Sequence, residues 1–76
     1  MKNMYDRELI IMYLSGNTYP IKEELKADGF RWDFDDKVWY KRFFLDEKGI
    51  SREYVKNLAT AFETTDGVQV ELTGDL

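Results

Sequence analysis

The chain has 76 residues, a formal net charge of −4, and a composition that is 43% hydrophobic and 16% aromatic. That length makes a single domain, 1–76, which buries only about 60% of the surface its unfolded chain exposes, so its core must be dense. There is no histidine and no cysteine, which removes the commonest general base, the commonest metal ligand and the commonest thiol nucleophile, along with any disulfide framework.

From these absences we expect no enzyme activity, no metal and no cofactor. Five Phe, five Tyr and two Trp supply the core, since aromatic side chains bury about 150–250 Å² each. Cysteine-free composition, a charged start and the lack of any run near the roughly 20 apolar residues of a membrane helix point to a cytoplasmic protein with no membrane partner.

In chain order, residues 1–7 form a polar lead-in expected to fray. Leu9, Ile10, Ile11, Met12, Tyr13 and Leu14 then follow without interruption. An apolar run flanked by Ser15, Gly16 and Asn17 reads as a strand, and with both faces apolar it belongs at the centre of a sheet. Next, Thr18 is a candidate N-cap, Pro20 suits a first helical turn, and Gly29 supplies a left-handed exit. These signals bound a helix over residues 19–28, with Ile21 and Leu25 one turn apart and Lys22 and Lys26 on a neighbouring stripe.

The period then changes. Phe30, Trp32 and Phe34 alternate with Arg31 and Asp33, a turn follows at Asp35, Asp36 and Lys37, and residues 38–44 are a second β-branched and aromatic run. The product is a hairpin with Trp32 and Trp39 on paired strands. Residues 45–50 are a polar connection. Ser51 is an N-cap, and Tyr54, Val55, Leu58, Ala61 and Phe62 follow at helical spacing. After a turn at residues 64–67, Val68, Val70 and Leu72 alternate with Gln69, Glu71 and Thr73 as a half-buried strand, and residues 74–76 read as a tail.

Strand, helix, strand, strand, helix, strand is the order of an α+β, ferredoxin-like (split βαβ) domain with two helices on one face of an antiparallel sheet. The right-handed crossover rule places the first and third strands side by side in its middle.

The segment from Gly16 to Arg42 resembles a small module of phage and mobile-element proteins, found beside primase or helicase domains, with some likeness to the HARP domain of annealing helicases. The resemblance rests on Tyr19, Lys22, Leu25, Lys26, Gly29, Trp32, Asp33, Lys37, Trp39 and Tyr40. It covers about a third of the chain and implies a helix-plus-hairpin unit working in nucleic-acid transactions without chemistry of its own. Gly29, Trp32, Asp33 and Pro20 read as structural residues of this unit.

Within the densest acidic cluster, Asp33, Asp35 and Asp36 fit turn capping better than a calcium loop, because neither the bend glycine nor the later acidic ligand is present. The candidate binding residues are Arg31, Lys37, Trp39, Tyr40, Lys41, Arg42 and Phe43. The register is open at this point. Either Trp39, Lys41 and Phe43 or Val38, Tyr40 and Arg42 point to the helix-free face.

Residues 18–44 carry six bases and six acids, so the net charge comes from the rest of the chain. A net acidic protein is repelled from phosphate at long range, which favours a protein partner with a basic, nucleic-acid-handling surface. Two alternatives stand beside it. Single-stranded or branched nucleic acid could stack on Trp39 or Tyr40 with Arg31, Lys37, Lys41 and Arg42 on phosphates, or the aromatic face could pair with its own copy as a homodimer.

Overall fold

The computed structural model describes residues 8–45 and 47–74. The lead-in at 1–7, the end of the expected tail at 75–76, and Asp46 of the polar connection lie outside the described residues. Among those described, strands β1 (Leu9–Gly16), β2 (Arg31–Asp33), β3 (Val38–Phe44) and β4 (Val68–Gly74) form one antiparallel sheet in the order β2-β3-β1-β4. Helices α1 (Lys22–Ala27) and α2 (Arg52–Glu63) complete the ferredoxin-like arrangement.

Strand β1 sits between β3 and β4, where its two apolar faces require it to be. Ile10, Met12 and Leu14 point to one side and are fully buried, while Ile11 and Tyr13 point to the other and are half-buried. The inner three pack in one core with Leu25 of α1, with Val55, Ala59 and Phe62 of α2, and with Trp39, Phe43 and Val68. Both helices therefore cover the same face.

The first helix differs from its expected form. Residues Tyr19–Ile21 make a 3-10 turn and only then does α1 begin. Thr18 is not a side-chain cap: it is buried, has helical backbone angles, and its carbonyl accepts the Ile21 N–H at 3.0 Å. Pro20 fits this opening turn, because it has no N–H to leave unpaired there and its fixed φ is helical. Glu23 and Glu24 in the first turn and Lys26 in the last complement the helix dipole. Gly29 leaves with φ +93°, as the sequence implies.

Strand β2 is also shorter than the Phe30-Trp32-Phe34 alternation predicts. The Asp33 carboxylate accepts backbone N–H bonds from Asp35 at 2.9 Å and Asp36 at 3.2 Å, which starts the turn at Phe34 and takes that residue out of the ladder. Phe30 precedes the strand and sets its ring edge-on to Phe62, centroids 5.7 Å apart. Trp32 and Trp39 do pair across the hairpin, at 5.4 Å.

Helix α2 follows the sequence closely. Ser51 caps it by accepting the Tyr54 N–H at 3.0 Å. Its buried stripe is Val55, Ala59 and Phe62, with Leu58 half-buried. Ala61 and Tyr54, assigned to that stripe from spacing, are exposed instead, because the 100° step carries them past the edge of the contact. Gly74 is not part of a tail; it closes β4 opposite Ile10.

Candidate functional site

The register settles which residues face away from the helices. Ile11 lies between Arg42 and Thr73, Tyr13 lies between Tyr40 and Glu71, and Arg31 pairs with Tyr40 on its other side. With Val38 beside Asp33, these residues form a mixed apolar, aromatic and charged face. The Arg42 guanidinium lies 5.6 Å from the centre of the Tyr40 ring, so aromatic and cation already support one another there.

At one end of this face Tyr13, Val38, Thr73, Asp36 and Glu71 line an open notch of about 370 Å³. Its floor is a phenol ring and a valine; its wall carries two carboxylates. Hairpin geometry puts Asp36 there, since the Asp33-capped turn folds the loop back beside β3. Strand alternation supplies Glu71 and Thr73 on the same side as Tyr13.

The seven candidate residues do not form one site. Arg31, Tyr40 and Arg42 share the helix-free face. Trp39 and Phe43 lie beneath the helices, 7% and 3% exposed, so neither is a stacking platform. The alternation in β3 decides this: once Leu14 opposite Trp39 is in the core, Trp39 must be too. Lys41 is on the helix side, where its Nζ donates to the Asp28 carbonyl at the end of α1 at 2.5 Å and lies 5.1 Å from the Phe43 ring. Lys37 occupies the hairpin turn with φ 56° and donates its N–H to the Asp33 carbonyl.

On the helix side there is a second surface, of which the candidate set contains only Trp39. Tyr19, Trp32 and Phe34, exposed by 73%, 37% and 81%, surround an open cleft of about 500 Å³ with Trp39 at its inner wall and Lys22 and Lys26 on its rim. The Lys22 ammonium stands 4.1 Å from the centre of the Tyr19 ring. The doubling of Lys22 and Lys26 at helical spacing is visible in the sequence, but their meeting with Phe34 depends on the turn.

Among the described residues no group of acidic side chains converges to hold a metal ion, and no helix is long and apolar enough to cross a membrane. Comparison of the chain with known family models, curated proteins and solved structures finds no match.

Proposed function

We propose that the protein is a non-enzymatic binding module that docks a basic-surfaced protein onto its helix-free sheet face. The observation carrying this reading is the notch, where an arginine or lysine of the partner would lie over Tyr13 and meet the carboxylates of Asp36 and Glu71. A cation against an aromatic face with carboxylates beside it is a favourable pairing when water is excluded. Around it, Ile11, Val38 and Tyr40 supply apolar area, and tyrosine and arginine are the residue types that dominate interface energies. The net charge of −4 steers the same class of partner from a distance. Together with the resemblance of residues 16–42 to phage modules, this favours a regulator or inhibitor of a nucleic-acid-handling host or defence protein in the cytoplasm.

The test is capture from cell extract with matched baits: wild type, Glu71→Lys, Tyr40→Ala and, as a control on the other surface, Phe34→Ala. A protein retained by wild type and Phe34→Ala but lost with Glu71→Lys and Tyr40→Ala supports the reading. Retention that depends on nuclease-sensitive material, and that Tyr40→Ala removes while Phe34→Ala does not, would replace it with direct nucleic-acid binding through Arg31, Tyr40 and Arg42. A light-scattering mass of twice 9.1 kDa, reduced by Tyr40→Ala, would replace it with a homodimer.

A further inference from the structure

We infer that the cleft between the 3-10 turn, α1 and the hairpin is a second, independent binding site, for a nucleobase carrying phosphate. A volume of about 500 Å³ lies within the range of small-ligand pockets. Its composition narrows the ligand. Tyr19 comes from the 3-10 turn and Trp32 and Phe34 from the hairpin, yet all three stay exposed at the same opening. Leaving three aromatic rings accessible together on so small a domain forgoes burial that its core could have used, which marks an interaction site. Planar rings around an open slot fit a planar partner, and aromatic stacking on nucleobases tolerates any base because each has a π face.

The rim supplies the sign of charge. Lys22 and Lys26 are one helical turn apart on α1, so both ammonium groups reach the same side of the cleft. Lys26 also faces Glu23 at 3.5 Å, but both side chains are well exposed, and such a pair is too weak to withdraw the lysine from a phosphate. Lys22 rests against the Tyr19 ring, which pins its charge at the mouth. None of the residues lining the cleft is acidic, although the whole chain is. An uncharged planar ligand would use the rings alone; a nucleotide uses the rings and the rim together. That nucleotide can be free or part of a single strand, since the chemistry recognised is the same.

The experiment uses dTMP, thymidine and a short oligo-dT strand as probes, followed by amide and indole chemical shifts and by tryptophan fluorescence at low salt. We expect dTMP and oligo-dT to shift Tyr19, Trp32 and Phe34 and to quench emission. Phe34→Ala, at a solvent-exposed ring outside the core, should weaken binding about fivefold to a hundredfold at the usual worth of one stack. Lys22→Gln with Lys26→Gln should remove the preference for dTMP over thymidine, whereas Lys56→Gln, on the exposed side of α2 and outside the cleft lining, should leave dTMP affinity unchanged. Much tighter binding of oligo-dT than of dTMP assigns the site to a strand, and equal binding assigns it to the free nucleotide. Absence of shifts at millimolar dTMP and oligo-dT, thymidine binding as well as dTMP, or shifts confined to the Tyr40 and Arg42 face would each overturn the inference.

Discussion

At Gly16 the backbone has φ +87°, and a Cβ there would stand 2.2 Å from the Gly67 carbonyl oxygen. That oxygen accepts the Asn17 N–H at 2.7 Å, so it cannot retreat without losing this bond at the end of the β1–β4 ladder. Gly49 has nearly the same φ, +85°, with nothing within 4 Å of a Cβ. The two positions separate conformational strain from collision. Gly49→Ala should cost about 1–2 kcal/mol, the usual penalty of left-handed backbone for an L-residue. Gly16→Ala carries the same penalty plus the displacement of a paired carbonyl, and should lose clearly more. Urea unfolding followed by tryptophan emission would measure both; equal losses would mean that the Gly67 carbonyl at the end of the ladder yields easily.

At the scale of elements, α2 shows how local signals and tertiary packing agree. Ser51 accepts the Tyr54 N–H, and Val55, Ala59 and Phe62 meet the sheet. Ser51→Ala should cost about 1 kcal/mol, as loss of an N-cap usually does, and appear as a lower urea midpoint with an unchanged slope. Here the cap and the centre of the stripe were legible as short-range facts, but its edges were not: Tyr54 and Ala61 are exposed, and Ala59, which the spacing did not single out, is buried. The first helix was less legible. Thr18 has the right chemistry for a cap, but Pro20 has no N–H to offer it and the Ile21 N–H goes to the Thr18 carbonyl, so the Thr18 side chain makes no capping bond. The hairpin was half legible: the pairing of Trp32 with Trp39 followed from alternation, whereas the exit of Phe34 from the strand came from one carboxylate bonding to two N–H groups.

Strands β1 and β3 hid the site for a different reason. Both are apolar or aromatic on two faces, so alternation alone could not tell Trp39 from Tyr40 as the outward residue. The packing of Leu25, Val55, Ala59 and Phe62 against one face decides it, and that choice is tertiary. Glu71 and Asp36 then join Tyr13 from a distant strand and a turn, a meeting that no local pattern encodes.

Over the whole molecule, charge acts at two distances. The domain has a radius of gyration of 13.0 Å, whereas the screening length is about 30 Å at 0.01 M salt and about 10 Å at 0.1 M. At the lower salt a basic partner meets the entire charge of −4; at the higher one it meets the charges near the face it docks on. Glu63 ends α2, in the layer opposite the helix-free face, and Glu71 lies on that face. For the captured partner, Glu63→Gln should therefore slow association at 0.01 M salt and leave it unchanged at 0.1 M, with dissociation the same at both. Glu71→Gln should slow association at both concentrations and also speed dissociation, because it removes a contact as well as a charge. Stopped-flow rates at the two salt concentrations would resolve this. If the two variants behaved alike, the attraction would reside in net charge alone and the notch would have no part in docking.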